Sequence, residues 1–219
     1  MSALYIIGTP IGNLKDITLR ALHILEEVDL ILCEDTRVTK RLLDYYNLKT
    51  PVESYHQHSK LKKIDYILGL LRQGKNLALV SDSGTPGISD PGNKLVEQVQ
   101  DIAKIIPIPG PSAAIAAASI SGFPMDKFVF LGFPPHKNKR KKFFQEVADS
   151  KYPVVLYESP HRILKTLKEL NEAGKFDIVV GRELTKMFET IYRGEIKDII
   201  NRLEKEGPKG EFVIVVRKI

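Results

Sequence analysis

The 219-residue chain has one cysteine, Cys33. That excludes an internal disulfide and a metal cluster built on cysteines. No apolar run approaches the roughly 18–20 residues needed to cross a bilayer, so no membrane association is expected. The start, MSALYIIGTP, has no basic n-region and does not have the layout of a secretory signal; the expected location is cytoplasmic. Neither GxGxxG nor GK[ST] occurs, which leaves a dinucleotide fingerprint and a P-loop unsupported. A convincing nucleophile is also missing. Cys33 is followed by Glu34 and Asp35, whose charges raise a thiol pKa, and Ser83 and Ser112 lack the signature of an activating base. His56 and His58 fall on one face of a strand-like stretch, but a third ligand at useful spacing is absent, so no metal is expected.

What is present describes a globular chain, 43% apolar and 27% charged, long enough for a sizeable core. The net charge of +6 permits an anionic partner without requiring one. The stretch around which the rest is organised is 81–92, SDSGTPGISDPG. Its twelve residues include three Gly, two Pro, two Asp and four hydroxyl side chains. Such a segment continues neither a strand nor a helix. It follows the apolar run 77–80 and precedes the helix-like run 93–99, so it lies at the carboxyl end of a buried strand, where open α/β sheets bind ligands.

The rest of the first half has the same rhythm. Residues 4–7 form an apolar strand ending in GTPIGN. A helix capped by Asp16 or Thr18 follows, then a strand over 28–32 that delivers Cys33-Glu34-Asp35-Thr36-Arg37 to a strand end. A further strand is expected over 52–58 and a helix over 64–71, closed by Gly74. Another strand lies within 102–108 and leads to Pro109-Gly110-Pro111-Ser112, where Ser112 occupies a helix N-cap position. This alternation predicts a mostly parallel sheet flanked by helices. The pattern breaks at 122–126, so two α/β domains are expected, 1–122 and 123–219. In the second, strands are expected over 128–133, 154–157, 178–180, 190–194 and 210–217, with helices over 143–148, 163–170 and 196–203. Their hairpin-like spacing predicts a mixed sheet.

Five polar clusters stand at expected strand ends: 8–13, 33–37, 81–92, 158–162 and 182–186. Together they suit one crevice between two sheets. Residue types alone stop there, at a two-domain α/β protein with a cleft, and do not name a reaction.

The motifs GTPIGN, CEDTR, SDSGTPGISDPG, IPGPSA, ESPHR and RELTK occur in one order, and over nearly the whole chain they resemble the ribosomal RNA small-subunit methyltransferase I family. That family belongs to the tetrapyrrole methylase-like, class III S-adenosylmethionine (SAM) methyltransferases. The resemblance implies two α/β domains with SAM in the cleft between them, a homodimer, and 2′-O-methylation of a cytidine ribose in 16S rRNA at the decoding region. By family position, Pro10, Ile11, Asp82, Gly84, Thr85, Ser112 and Ala113 contact SAM, and Tyr157, Glu158, Gly181, Arg182, Gly210 and Glu211 supply a second wall. Longer family members carry a further small helical domain that is missing here, so this chain is expected to be either a natural short form or a truncated one.

A ribose hydroxyl needs proton removal as it attacks. Lys186, Glu183, Asp35 and Glu158 are the candidates to assist, with no basis for choosing among them. The segment 136–142 (HKNKRKK) carries five Lys/Arg in seven residues. With an RNA substrate, Lys137, Lys139, Arg140, Lys141 and Lys142 become phosphate contacts, extended by Arg37, Arg162 and 60–63. Alternative readings are a methyltransferase of the same fold acting on a tetrapyrrole or a protein residue, or a non-catalytic SAM-binding ribosome-assembly factor.

Overall fold

A computed structural model describes residues 2–56, 61–90 and 92–219. His58, Lys60 and Pro91, named above, lie outside the described residues. The chain divides into two compact units, 1–112 and 113–219.

The first unit holds five strands: β1 (Ala3–Ile7), β2 (Leu30–Cys33), β3 (Val52–Ser54), β4 (Leu77–Val80) and β5 (Lys104–Ile108). Their order is β3-β2-β4-β1-β5, and every pairing is parallel. Strand β3 ends at Ser54, so His56 lies beyond it and the expected strand over 52–58 is shorter than its pattern suggested. Two apolar layers flank the sheet. Ala78 and Val80 of β4 pack with Ala21 and Leu25 of α1 (Leu19–Glu27) and with Leu42 and Leu43 of α2 (Thr36–Tyr45). Their neighbours Leu77 and Leu79 face Ile67 and Leu71 of α3 (Leu61–Arg72) and Leu95 and Val99 of α4 (Asn93–Val99). Alternate side chains of a strand point to opposite faces, so a strand covered on both sides is apolar throughout. Helix boundaries follow local chemistry. The Thr18 hydroxyl accepts from the Ala21 amide at 3.1 Å to start α1. At the end of α3, Gly74 adopts φ 88° and lets the Lys75 amide reach the Leu70 carbonyl at 3.1 Å.

The second unit begins with α5 (Ala113–Ile120) and holds β6 (Val129–Gly132), α6 (Arg140–Asp149), β7 (Val154–Glu158), α7 (Ile163–Ala173), β8 (Phe176–Arg182), β9 (Thr190–Gly194), α8 (Ile196–Glu206) and β10 (Phe212–Lys218). The sheet order is β6-β7-β10-β8-β9; β6 runs parallel to β7 and the other pairs are antiparallel, as the mixed-sheet expectation required. Helices α6, α7 and α8 cover one face through Phe144, Leu167, Leu170, Ile199 and Leu203. Helix α5 packs against β10, β7 and β8. It buries only Ala114, Ala117 and Ala118, small residues that allow a helix to lie close to a sheet. The exposed Arg193 of β9 donates to the Ser121 carbonyl at 3.0 Å and also to Ile120. These contacts are why the division falls after Ser112, ahead of the boundary expected at 122.

Candidate functional site

In the first unit, the loops leaving β1, β4 and β5 are stitched together by main chain. Thr9 and Gly84 form an isolated antiparallel bridge, with N–H to carbonyl distances of 2.8 and 3.1 Å. The Gly8 amide donates to the Ile108 carbonyl at 3.1 Å. A Cβ on Gly110 would stand 2.5 Å from the Gly8 oxygen, so the loop after β5 reaches the loop after β1 only because Gly110 has no side chain. Gly84 adopts φ 80°, and a Cβ there would enter the space between Ile11 and the Pro111 carbonyl, at 3.6 and 3.8 Å. The buried Ser81 turns its hydroxyl inward, to the Ser83 and Gly84 carbonyls, both at 3.2 Å, and so shapes the turn. The Asp82 carboxylate accepts the Asp35 amide at 3.0 Å and ties in the end of β2. Pro10, Ile11, Asp82, Gly84, Thr85 and Ser112 therefore share the carboxyl edge of one parallel sheet. That edge is rich in glycine and polar groups, a composition compatible with a ligand carrying ribose, adenine and amino-acid groups.

In the second unit, register gathers the other predicted residues. Phe212 stands opposite both Glu158 and Arg182, so the ends of β7 and β8 and the start of β10 meet at one end of the mixed sheet. Tyr157, Gly181, Gly210 and Glu211 lie beside them. The Ala114 amide donates to the Tyr157 hydroxyl at 3.1 Å, which sets this tyrosine against the start of α5 beside Ala113. Gly210, at φ 85°, leaves room that the Glu183 side chain fills.

The four candidate helpers differ sharply in what already holds them. Glu158 has a fully buried side chain, bound by the Ser159 amide at 2.7 Å, the Thr166 hydroxyl at 2.7 Å and Arg162 at 2.9 Å. Asp35 caps α2 through the Arg37 amide at 2.8 Å. The Arg37 side chain, and then its amide, hold the Asp35 carboxyl down to about 2. Lys186 donates to Glu183 and Glu211, both at 2.8 Å, and the Glu211 amide donates back to Glu183 at 2.8 Å. Burial alone would push Glu183 up and Lys186 down. The hydrogen bonds between them win, holding the carboxyl below and the ammonium above their usual values. Lys186 is thus a fixed cation at neutral pH, suited to stabilising a developing oxyanion rather than accepting a proton.

Two of the predicted phosphate contacts are corrected. Arg140 is 5% exposed; its guanidinium binds Glu169, the Thr166 hydroxyl at 2.9 Å and the Pro135 carbonyl at 2.6 Å. Arg162 is engaged by Glu158 and by the Pro134 carbonyl at 2.9 Å. Together with Glu158 and Thr166 they form a buried polar network under the segment they were expected to extend, because α6 starts at Arg140 and turns that side chain inward. Lys137, Lys139, Lys141 and Lys142 are exposed, as is Arg37, although it is paired with Asp35 at 2.6 Å. The Arg182 side chain is likewise taken, by the Lys209 carbonyl at 2.9 Å and by Tyr192 and Glu206, both at 3.4 Å. Sequence patterns missed Glu211 as the second partner of Lys186 and Arg193 as the anchor of α5; no local signal marks either.

Comparison with known proteins places the chain among relatives. The pattern of the tetrapyrrole (corrin/porphyrin) methylases matches residues 3–200. Ribosomal RNA small subunit methyltransferase I of Thermotoga maritima is 44% identical over 99% of this chain and 98% of its own length. The proteins of that name from Synechocystis sp. and Bacillus subtilis are 45% and 42% identical over 99% of this chain, and 79% and 75% of theirs. Among solved structures, a cobalt precorrin-4 methyltransferase of cobalamin biosynthesis superposes with TM-score 0.74 at 22% identity, covering 98% of this chain and 94% of its own. The uroporphyrin-III C-methyltransferase of Thermus thermophilus gives 0.66 at 17%, covering 98% and 94%. These two similarities speak to the fold.

Proposed function

The chain belongs to the ribosomal RNA small subunit methyltransferase I family within the tetrapyrrole methylases, and from that premise we propose that it transfers the methyl group of SAM to a cytidine ribose 2′-hydroxyl at the decoding region of 16S rRNA. The observation that carries the reading is the stitched edge of the parallel sheet, where Gly8, Gly84 and Gly110 let three family-specific loops meet at main-chain distance. When bound, SAM supplies an activated methyl group. Main-chain groups of Pro10, Ile11, Thr85, Ser112 and Ala113, with the Asp82 carboxylate, are proposed to hold it, and Gly84, whose main chain is bound to Thr9, leaves room for it. Alignment of this kind is worth on the order of 7–11 kcal/mol in ideal intramolecular cases.

On the second unit, Tyr157 and the turns at Gly181 and Gly210 stand at one end of the mixed sheet and are proposed as ligand contacts. The side chains of Glu158 and Arg182 are bound within the unit, by Ser159, Thr166 and Arg162 and by the Lys209 carbonyl respectively. Lys186, fixed as a cation between Glu183 and Glu211, is proposed to lower the energy of the ribose oxygen as it gains charge, the hydroxyl proton passing to solvent water. Exposed Lys137, Lys139, Lys141 and Lys142 contact phosphates, and the exposed Arg37 of the first unit is proposed as a further phosphate contact. We take the enzyme to work in the cytoplasm as a homodimer; light scattering at working concentration tests the latter.

The deciding experiment supplies labelled SAM and small ribosomal subunits from a strain lacking the activity. Label on a cytidine ribose is the expected result. Label appearing instead on a porphyrin precursor, or RNA binding with no transfer, overturns it.

A further inference from the structure

We propose that Phe133 is a stacking step for an unpaired base of the RNA, placed at the head of the lysine segment. The inference rests on the rRNA reading above and adds how the strand is gripped. Phe133 follows the last residue of β6 and is 49% exposed. Its other side is firmly backed. The ring lies 5.5 Å from that of Tyr157, which in turn lies 4.9 Å from that of Phe130, both in edge-on geometry.

The chain beyond the ring is held as well. The Pro134 carbonyl accepts from Arg162 at 2.9 Å and the Pro135 carbonyl from Arg140 at 2.6 Å. Both guanidiniums are locked by the buried network of Glu158, Thr166 and Glu169. The ring is therefore presented on a rigid support, and little ordering remains to be done when a ligand arrives.

Charge selects the ligand. No acidic residue occurs between Lys127 and Gln145, and Lys137, Lys139, Lys141 and Lys142 are all exposed there. An exposed ring followed within a few residues by exposed cations suits a nucleic acid whose base stacks while its phosphates meet lysines. A duplex hides its base faces, so the fitting ligand is single-stranded or splayed open.

The test measures binding of a ten-nucleotide cytidine-rich oligoribonucleotide to the full chain at several salt concentrations. Phe133→Ala and Phe133→Leu are expected to weaken binding roughly tenfold without changing the salt slope, while Phe133→Tyr binds like the parent. Equal binding by the alanine variant, or equal loss in the tyrosine variant, overturns the proposal. Thermal melting of each variant controls for folding, which a half-exposed ring should barely affect. Methyl transfer by the parent chain to small subunits is run in parallel. Transfer with no dependence on Phe133 removes the stacking step alone, whereas no transfer by the parent removes the functional reading itself.

Discussion

At the scale of single residues, the sites most sensitive to change are those where an atom has no space or a charge has no solvent. Gly110→Ala would drive a Cβ against the Gly8 oxygen, with main chain on both sides unable to yield. The expected loss is about 1–3 kcal/mol, read by urea unfolding, together with weaker SAM binding by calorimetry. Arg140→Ala leaves Glu169 and the Thr166 hydroxyl without their buried partner. It should cost about 3–5 kcal/mol while leaving the salt dependence of RNA binding as it was; a changed slope with normal stability would contradict this. Glu183 and Lys186 make a pH-dependent tether. Because the Glu183 pKa is lowered on folding, its contribution is present above about pH 4.3 and is lost as the pH falls through the lowered value. Because the Lys186 pKa is raised, its contribution is complete below about pH 10.4 and lost only above the raised value. The stability gap between the parent and Glu183→Gln, roughly 1 kcal/mol, is therefore expected at pH 7 and should close as the pH falls through the lowered Glu183 value.

At the scale of elements, caps and registers decide what each motif does. Thr18→Ala removes the hydroxyl that accepts the Ala21 amide and should cost about 1 kcal/mol with methyl transfer unchanged. Asp35 does the same work for α2. Its carboxyl, held down to about 2, keeps that cap from neutral pH to well into acid, and the cap is lost only as the pH falls through that value. Amide signals of Arg37 and Val38 followed by NMR should titrate there. The CEDTR motif was legible as a strand end before a helix, since an apolar run followed by Asp and Thr has few other solutions. ESPHR was legible as a strand end too, but the purpose of its charges was not. Glu158 meets Thr166 and Arg162 along α7, and Arg140 arrives from α6, so the network exists only once two helices have docked.

At the scale of the whole molecule, the salt dependence of association with RNA should follow the exposed lysines of 137–142. Replacing Lys137, Lys139, Lys141 and Lys142 together is expected to reduce the slope of log K against log salt by roughly 2–3, at about 0.7 per phosphate on a single strand; an unchanged slope would count against the segment as an RNA contact. What the amino-acid order determined by itself was the alternation of covered strands with helices, the position of each glycine-rich turn at a strand end, and the family those turns belong to. These are local properties, set by side-chain period and backbone freedom within a few residues. Tertiary structure alone decided that Arg140 and Arg162 point inward, that Glu211 completes the setting of Lys186, and that α5 joins the second unit. Arg140, Lys186 and α5 depend on partners far along the chain, and Arg162 on the Pro134 carbonyl as well as on nearby Glu158, so whether a charge faces water or the interior is fixed only when the packed elements bring those partners within reach.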